Sequence, residues 1–330
     1  MSTPGLKSIS IVIPVYNEAE NLDELYQELV SAAGKFERSV EIIFVDDGSI
    51  DGSWPILKAI QKKDSRVKLI RLRKNFGQTP ALSAGFDRAT GEIIISLDAD
   101  LQNDPNDIAL LVQKIEEGYD IVSGWRKNRK DKILTRRFPS AVANWLISQT
   151  TQVKLHDYGC TLKAFRRDVI KNVKLYGELH RFIPAIASHM GVAIAEVEVN
   201  HRPRRHGKSK YNIFRFTRVI LDLLTVKFLL SYSTRPLQIF GLLGLASGIL
   251  GFIISLWLSY QRIILKVSSA NRPLLLLGVL LIVIGIQFVT LGLLAEIMVR
   301  AYHESSGKSI YFIREVIDSE TREHPSSQNR

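Results

Sequence analysis

The sequence has a single cysteine, Cys160, among its 330 residues. One cysteine excludes a disulfide within the chain, and by itself it cannot form a cysteine-rich zinc site. Such sparing use of cysteine is typical of a reducing compartment. Residues 1–8 also lack the apolar run of a cleavable signal peptide, so we expect the N-terminal part of the chain to stay in the compartment where it is made.

Signatures of several common function classes are missing as well. No Gly-x-Gly-x-x-Gly follows the first apolar run, which disfavours a dinucleotide-binding dehydrogenase. No helix-turn-helix, RNA-recognition or zinc-finger signature occurs, and the aromatic residues do not alternate with the basic runs, so we expect no nucleic-acid partner. The histidines lack the spacing of metal ligands and are interpreted as structural or surface residues; they include His156, His180, His189 and His206.

Acidic residues are fewer than basic residues. The chain has 33 acidic and 44 basic residues, which give a net charge of +11 and a pI near 9.6. The basic excess is concentrated in two segments of loop composition, residues 126–137 and 201–210. An excess of this kind favours a polyanionic partner, such as a phosphate substrate or an anionic lipid headgroup.

Two long runs in the C-terminal third carry no charge, Leu237–Tyr260 with 24 residues and Leu274–Ala295 with 22. As helices they would be roughly 33–36 Å long, enough to cross a hydrocarbon core of about 30 Å. The link between the runs is short, so we expect a hairpin with both chain ends on one side. Basic residues are more frequent outside this link than within it, which places both ends in the cytoplasm.

The composition along the chain predicts five regions. Residues 1–211 are expected to form a cytoplasmic α/β domain, and residues 212–236 form basic amphipathic helices in the membrane interface. Residues 237–260 and 274–296 are the two transmembrane helices of an integral inner or plasma membrane protein. Residues 297–330 are a cytoplasmic tail, which is polar and expected to be disordered after Glu315.

The first 125 residues alternate between strand and helix periodicities. The predicted strands are Ile9–Pro14, Ile42–Val45, Val67–Leu72, Ile93–Leu97 and Asp120–Ser123. The predicted helices are one capped by Asn17 that contains Leu22–Leu29, and then about Trp54–Lys62, Thr79–Ala89 and Pro105–Glu117. This order predicts a Rossmann-like α/β fold with a doubly wound, mostly parallel sheet, which binds ligands at the carboxyl ends of its strands.

Acidic residues follow two of these strands. Asp46 and Asp47 come after Ile42–Val45, and Asp98 and Asp100 come after Ile93–Leu97. In an extended chain Asp98 and Asp100 lie on the same side, and Gln102 continues that phase. Paired carboxylates at this edge fit a divalent cation that binds nucleotide phosphates. The alternative for each cluster is a tight turn without a ligand.

Taken together, these segments resemble the family 2 glycosyltransferases of GT-A fold. The resemblance covers about residues 8–305, and within that family the chain is similar to the polyisoprenyl-phosphate glycosyltransferases. This group includes the bactoprenol glucosyltransferases and, at a greater distance, dolichol-phosphate mannose synthase. The residues that carry the resemblance are Val12–Glu18, Val45–Ser53, Asn75–Gly85, Asp98–Gln102, Gly124–Arg126, Asp157–Gly159, Glu178–Phe182 and Arg205–Tyr211, followed by the two apolar runs.

The resemblance implies a role for each candidate site residue. Asp98, Asp100 and Gln102 would hold Mg²⁺ or Mn²⁺, and Asp157 would be the catalytic base. The residues that would bind the nucleotide sugar are Pro14, Tyr16, Glu18, Asp46, Asp47 and Asp98. The residues that would contact phosphates of donor or acceptor are Arg126, Arg205, Lys208 and Lys210.

The implied reaction is transfer of a hexose, glucose in the first instance, from a UDP-sugar to a polyprenyl phosphate such as undecaprenyl phosphate. It inverts the anomeric carbon and takes place at the cytoplasmic membrane face. GDP-mannose or another UDP-sugar is an alternative donor, although Asp157 lacks the following Ser-Gly of the mannose synthases. A processive polysaccharide synthase is disfavoured because no Gln-x-x-Arg-Trp occurs. The alternative that is not an enzyme is a membrane-anchored sensor or scaffold that binds a nucleotide sugar. We also expect a homo-oligomer, with a tetramer as a first guess.

Overall fold

The structure of the chain is a computed structural model that describes residues 8–127, 153–173, 175, 179–188, 190–203, 236–266, 273–305 and 310–318. Arg205, Lys208, Lys210 and the predicted interface helices over residues 212–235 lie outside the described residues. The chain divides into two compact units. One comprises Met1–Val226 with Ser309–Arg330, and the other is Lys227–Lys308.

Within the described residues, the first unit is built on one eight-stranded sheet with the order β7-β5-β6-β4-β1-β2-β3-β8. The strands are β1 (Ser8–Val15), β2 (Ser39–Asp46), β3 (Val67–Leu72), β4 (Ile93–Ser96), β5 (Ile121–Trp125), β6 (Lys163–Arg166), β7 (Ile194–Glu198) and β8 (Ile313–Ile317). β1 to β4 pair with one another in parallel, and so do β5 and β7. The strands predicted from the sequence are confirmed, and the complete sheet is mixed because β6 and β8 run antiparallel to their neighbours.

The antiparallel direction of β6 decides which residues reach the functional edge of the sheet. β6 lies between β4 and β5, and its first residue, Lys163, is opposite Ser96 of β4 and Ser123 of β5. Parallel strands bring their ends to this edge, whereas an antiparallel strand brings its beginning there. Lys163 is therefore placed beside the residues that follow β4.

Helices cover both faces of the sheet. They are α1 (Leu22–Ala33), α2 (Ser53–Lys63), α3 (Gln78–Arg88), α4 (Ile108–Glu116, after a 3-10 turn at Pro105–Asp107), α5 (Arg167–Asn172) and α6 (Ile183–Ser188, after a 3-10 turn at Leu179–Phe182). Ile11 and Ile13 of β1 pack with α1, α2 and α4, whereas Val12 packs on the opposite face with α3, α5 and α6. Alternate residues of a strand point to opposite faces, so a strand covered on both faces is apolar throughout.

The first helix begins later than predicted, and Asn17 does not cap it. α1 starts at Leu22, and Asn17 lies in the preceding loop with a φ of 54°. Its backbone N donates to Ser49 Oγ at 3.0 Å, and its Oδ1 accepts from Ile50 N at 2.9 Å. Asparagine adopts the left-handed region more readily than most residues. The asparagine therefore joins the β1–α1 loop to the β2–α2 loop.

The C-terminal tail contributes an edge strand to the sheet. β8 pairs with β3 over Leu69↔Ile317, Ile70↔Val316 and Arg71↔Glu315. The expectation of disorder after Glu315 is therefore wrong for Val316 and Ile317, while residues 319–330 lie outside the described residues. The five-residue run is too short and too polar to indicate a strand by its own pattern. It pairs with the outer edge of β3, whose residues lie more than two hundred positions earlier in the chain.

The second unit contains two long helices, α7 (Pro236–Ile263) and α8 (Pro273–Ser305), which pack as a hairpin. Their spans Phe240–Ile263 and Pro273–Ala295 are long and apolar enough to cross a membrane. Glycines allow the two backbones to approach closely. A Cβ added at Gly251 would lie 2.5 Å from Gly278 O, and one added at Gly244 would lie 2.6 Å from Gly285 O. Packing through small residues is characteristic of helices in lipid.

Candidate active site

The predicted acidic clusters lie at one edge of the sheet, on either side of the end of β1. Asp46 is the last residue of β2, and Asp98 follows the end of β4 by two residues. β1 pairs in parallel with both of these strands, and Pro14 is the residue before its last. The parallel order therefore brings together the ends that carry Pro14, Asp46 and Asp98, as the sequence pattern predicts.

The carboxylate of Asp46 is completely buried, with 0% exposure. Its Oδ1 accepts a hydrogen bond from Ser49 N at 3.0 Å. Its Oδ2 forms an ion pair with Arg71 Nε at 3.2 Å and has no well-aligned hydrogen bond among the described residues. Burial raises the pKa of Asp46, although Ser49 and Arg71 counteract the rise. A buried acceptor without a well-aligned hydrogen bond is costly, so the ion pair with Arg71 is the contact that offsets the burial of Oδ2.

Asp47 differs from its neighbour because the backbone already uses both of its oxygens. Oδ1 accepts from Phe76 N at 2.7 Å, and Oδ2 accepts from Gly77 N at 2.9 Å. Burial raises the pKa of Asp47 to about 6, and the charge of Asp46 adds to the rise. Gly77 has a φ of 103°, a conformation that favours glycine. Asp47 thus holds the loop that leads into α3.

Arg71 contacts Asp46, Trp54 contacts Arg71, and no sequence pattern pointed to either residue. Arg71 is the register partner of Asp46 across β2 and β3. Its guanidinium carbon lies 5.1 Å from the centre of the Trp54 ring, within the range of a cation–π contact. Trp54 is buried at the start of α2. The signal that would have identified Arg71 is strand register, which a single sequence does not reveal.

Tyr16 and Glu18 lie in the loop after β1, and both are partly buried. Glu18 Oε2 accepts from Asn21 Nδ2 at 2.6 Å, and Glu18 N donates to Ser53 Oγ at 3.1 Å. These contacts place the loop against the start of α2, on the same side of the sheet edge as Asp46. They also show Glu18 in local contacts near the first turn of α1.

Asp98 and Asp100 form the metal-binding candidate. Gln78 Nε2 donates to Asp98 Oδ1 at 2.7 Å, and Gln102 N donates to Asp100 Oδ1 at 3.2 Å. Burial raises the pKa of Asp98 to about 7, and the nearby charge of Asp100 contributes to the rise. Two carboxylates that repel each other in a partly dry site are stabilised by a divalent cation.

The donor set fits Mg²⁺ or Mn²⁺. No cluster of three or more His, Cys, Asp or Glu side chains suited to a metal occurs among the described residues. Asp98 and Asp100 would therefore supply two carboxylates, and the amide oxygen of Gln102 is a further candidate ligand. Mg²⁺ is commonly bound by one or two carboxylates together with substrate phosphates and water, rather than by a cage of protein ligands.

The backbone between the two candidate ligands is held in an unfavourable conformation. Leu101 has a φ of 59°, which costs a non-glycine residue of order 1–3 kcal/mol. The side chain of Leu101 is 2% exposed and belongs to the apolar cluster around β1. Burial of this side chain offsets the strain and fixes the turn that carries Asp100 and Gln102.

Asp157 and Arg126 form a buried bidentate ion pair. Arg126 Nε lies 2.7 Å from Asp157 Oδ2, and Arg126 Nη2 lies 3.0 Å from Asp157 Oδ1. Gly159 N also donates to Asp157 Oδ1 at 3.1 Å. Paired hydrogen bonds of this kind fix orientation as well as charge. The family resemblance implied separate roles for the two residues, in catalysis and in phosphate binding, whereas the structure brings them into direct contact.

A cleft beside Asp98 is lined by several further polar residues, among them Lys163 and His180. Lys163 is 3% exposed, and its Nζ donates to the carbonyl oxygens of Tyr158, at 3.3 Å, and Cys160. Burial lowers the pKa of Lys163. His180 Nδ1 lies 2.7 Å from Thr79 Oγ1, and burial lowers its pKa well below 6.5, so the ring is neutral. The structural interpretation of His180 agrees with this contact, whereas the place of Lys163 follows from the direction of β6.

The chain is similar to known proteins along most of its length. The family described as Glycosyl transferase family 2 matches residues 10–174. The chain is 42% identical over 318 residues to dodecaprenyl-phosphate galacturonate synthase of Rhizobium johnstonii, covering 95% of this chain and 94% of that protein. It is 39% identical over 318 residues to undecaprenyl-phosphate 4-deoxy-4-formamido-L-arabinose transferase of Salmonella choleraesuis, covering 96% and 95%.

Solved structures show the same fold at much lower identity. Glucosyl-3-phosphoglycerate synthase from Mycobacterium tuberculosis, in complex with Mn²⁺, UDP and phosphoglyceric acid, has a TM-score of 0.54 at 19% identity, covering 67% of this chain and 78% of that one. Its complex with UDP has a TM-score of 0.53 at 19% identity, covering 67% and 80%. The mixed sheet is therefore of GT-A type. From the matched residues and the relatives that align along nearly its whole length, the chain is a glycosyltransferase and belongs to glycosyl transferase family 2.

Proposed function

We propose that the enzyme transfers a sugar from a UDP-sugar to a polyprenyl phosphate and releases UDP. The observation that carries the proposal is that carboxylates lie at the carboxyl edge of a GT-A-type sheet in a chain that also has two membrane-length helices. Such a chain is suited to bind a charged, water-soluble donor and to transfer a group from it to an acceptor in the membrane. Both curated relatives are named for prenyl phosphates, and each aligns with more than nine-tenths of the chain.

The donor diphosphate would meet Asp98, Asp100 and Gln102 through Mg²⁺ or Mn²⁺. The bound ion would offset the negative charge that develops on the departing diphosphate. Gln78 holds Asp98 Oδ1 at 2.7 Å, and the Leu101 turn holds Asp100, so the two carboxylates are oriented before the donor arrives. The related synthase from Mycobacterium tuberculosis was crystallised with Mn²⁺ and UDP together, which supports this choice of ion.

The nucleoside would occupy the end of β2. Asp46 Oδ2 is the acceptor that we assign to the imino N–H of uracil, because it is buried and, among the described residues, has the ion pair with Arg71 but no well-aligned hydrogen bond. Tyr16, Glu18 and Pro14 would border the base and ribose from the end of β1. Asp47 contributes indirectly, since its carboxylate holds the loop at Phe76 and Gly77.

The transfer would be a single in-line displacement with inversion. An oxygen of the acceptor phosphate forms the bond to the anomeric carbon while the bond to UDP breaks. A phosphate monoester has a second pKa near 6 and is largely ionised at neutral pH, so it has little need of a base. Asp157 would therefore act mainly by orienting Arg126 towards phosphate, through the two hydrogen bonds that join them. Arg205, Lys208 and Lys210 remain proposed phosphate contacts.

We propose a hexose as the transferred sugar. The hexose expected from the sequence is glucose. The names of the relatives contain galacturonate and 4-deoxy-4-formamido-L-arabinose, so they support transfer to a prenyl phosphate without supporting glucose. GDP-mannose is retained as a further donor to be tested.

We also propose that the enzyme is a two-pass protein of the inner or plasma membrane with both ends in the cytoplasm. β8 follows α8 in sequence, and it pairs with β3 of the sheet that precedes α7. The chain therefore returns to the same folded unit after the hairpin, which supports a common side for the two ends. A homo-oligomer, with a tetramer as the first guess, would be tested by light scattering of the detergent-solubilised protein.

The experiment uses purified full-length protein in detergent with undecaprenyl phosphate, Mg²⁺ or Mn²⁺ and a panel of radiolabelled donors. The panel contains UDP-glucose, UDP-galacturonic acid, UDP-4-deoxy-4-formamido-L-arabinose and GDP-mannose, and label in the organic phase is scored. We expect label from one UDP-sugar, and we expect this label to be lost with EDTA and in Asp100→Asn. The label should be retained in Asp168→Asn, which changes an exposed carboxylate on α5. Label that survives EDTA and Asp100→Asn would contradict the proposed metal site. Absence of label from every donor would contradict the proposed reaction.

A further inference from the structure

The segment before and within β8 lies against the nucleoside end of the sheet. β8 is antiparallel to β3, so its first residue, Ile313, is opposite Leu72, the last residue of β3. The residues that precede β8 are therefore at the carboxyl edge, where Asp46 ends the neighbouring strand β2. These preceding residues make three contacts with the region around the proposed donor site.

Two contacts hold the loop between β3 and α3. Arg73 N donates to Phe312 O at 3.0 Å, which extends the β3–β8 pairing beyond the strand ends. The rings of Phe312 and Phe76 have centroids 6.1 Å apart. Phe76 and the following Gly77 are the residues whose backbone amides bind Asp47. The tail thus supports one side of a loop whose other side is fixed by the carboxylate next to Asp46.

The third contact is at the far end of α3. Tyr311 Oη donates to Asp87 Oδ2 at 2.8 Å, and Asp87 is the residue before the last of α3. Burial raises the pKa of Tyr311, and Asp87 adds to the rise, so the phenol keeps its proton at neutral pH. The tail therefore contacts α3 near its end and also contacts the loop at its beginning.

The position of α3 bears on the metal-binding candidate as well. Gln78 is the first residue of α3, and its side chain donates to Asp98 Oδ1 at 2.7 Å. Arg71, which lies 3.2 Å from Asp46 Oδ2, is on the strand with which β8 pairs, opposite Glu315. The same short tail segment is thus linked to Asp46 through Arg71, and to Asp98 through the loop and helix that carry Phe76 and Gln78.

We propose that Tyr311–Ile317 is a positioning element of the donor site, which holds the β3–α3 loop and α3 in the arrangement that binds a nucleoside diphosphate. The inference rests on the proposed function, since it assigns the donor to this edge. Its consequence is specific. Loss of the segment should weaken binding of the donor nucleotide and leave the affinity for the lipid acceptor unchanged, because the described contacts of the segment are with β3, the β3–α3 loop and α3, which border the proposed donor carboxylates.

The test compares full-length protein with two shortened chains and two point variants in detergent. The first chain ends at Asp318 and keeps β8, and the second ends at Lys308 and lacks it. Phe312→Ala removes the ring that contacts Phe76, and Tyr311→Phe removes only the hydroxyl that contacts Asp87. Leu110→Ala, which removes another exposed apolar side chain on α4, is the matched control. The readouts are KM for each substrate, kcat, and the Kd of UDP by calorimetry.

We expect the chain that ends at Lys308 to raise donor KM and the Kd of UDP by about tenfold or more. Phe312→Ala should raise both by about threefold to tenfold, and Tyr311→Phe by about twofold to fivefold. In each case the KM for undecaprenyl phosphate should change by less than about twofold. The chain that ends at Asp318 and Leu110→Ala should behave like the full-length protein.

Unchanged donor KM and UDP affinity in Phe312→Ala and Tyr311→Phe would overturn the inference, even if the chain that ends at Lys308 fails to fold. Equal losses for donor and acceptor would also overturn it, because they would indicate a general loss of structure. The proposed function fails separately. If the full-length chain binds UDP but makes no lipid-linked sugar, the effect of the variants on UDP affinity still decides whether the tail positions the donor site.

Discussion

The buried ion pair between Arg126 and Asp157 gives the sharpest test of how this site works. The side chains are 13% and 4% exposed, and two hydrogen bonds of 2.7 and 3.0 Å join them. Removing one partner of a buried pair leaves the other charge without compensation, which typically costs about 3–5 kcal/mol. Asp157→Asn keeps one acceptor oxygen, so we place its cost near the lower limit, about 3 kcal/mol.

A loss of this size is readily measured. For a unit of this length, each kcal/mol shifts the Tm by about 2–4 °C, so Asp157→Asn should lower it by roughly 6–12 °C. Arg126→Gln should have a similar effect, because it leaves the Asp157 carboxylate buried. The double variant should lose much less than the sum of the two, with a coupling energy of about 1–3 kcal/mol. Thermal unfolding of the four proteins in the same detergent gives this cycle.

The same four proteins distinguish orientation from proton transfer. If Asp157 acts by orienting Arg126, each single variant should lower kcat by a similar factor, and the double variant should lose no more than either. If Asp157 accepts a proton, Asp157→Asn should lose far more activity than Arg126→Gln. A coupling energy below about 0.5 kcal/mol would refute the reasoning, because residues in one hydrogen-bonded pair are not expected to behave independently.

Three further predictions concern parts of the structure outside this pair. Burial raises the pKa of Asp47 from 3.8 to about 6, so its contribution to stability is fully present below about pH 4 and is lost as the pH rises through 6. Asp47→Asn should therefore reduce the fall in Tm between pH 4 and pH 7. An unchanged dependence of Tm on pH would contradict the raised pKa of Asp47. A Cβ at Gly85 would lie 2.2 Å from Val12 Cγ1, so Gly85→Ala should destabilise the first unit by about 1–3 kcal/mol in denaturant titration, whereas Gly52→Ala, with its nearest contact at 3.7 Å, should have a much smaller effect. In the helical hairpin, Gly251→Ala should lower the Tm in detergent because the added Cβ would lie 2.5 Å from Gly278 O, whereas an added Cβ at Gly248 meets no atom of the described residues within 4 Å. Equal effects of the two substitutions would contradict the close approach of α7 and α8.

The parallel half of the fold could be predicted from the sequence because its signals are local. The runs that form β1, β2 and β4 are continuous, apolar and bounded by turn residues, and parallel strands send their ends to a common edge. The positions of Asp46 and Asp98 follow from that rule alone. The same reasoning finds the two long helices, since a run of more than twenty uncharged residues has few other interpretations.

What the sequence did not reveal depends on pairing between distant residues. Lys163 reaches the site because β6 is inserted antiparallel between β4 and β5, and nothing within Lys163–Arg166 indicates a direction. Arg126 and Asp157 are 31 residues apart, so their bidentate contact is visible only in three dimensions. Asp47 is similar, because the amides that bind it belong to a loop 29 and 30 residues further along the chain.

The place of β8 at the edge of the sheet also has a consequence for biosynthesis. β3 ends at Leu72, whereas its edge partner begins at Ile313, after both long helices in the sequence. During translation the outer edge of β3 therefore has no β8 to pair with until the whole hairpin has been made. An open strand edge is a template for pairing with other chains. The sheet can be completed only after the ribosome has passed the hairpin. The catalytic unit therefore reaches its final fold after both membrane-length helices have been synthesised.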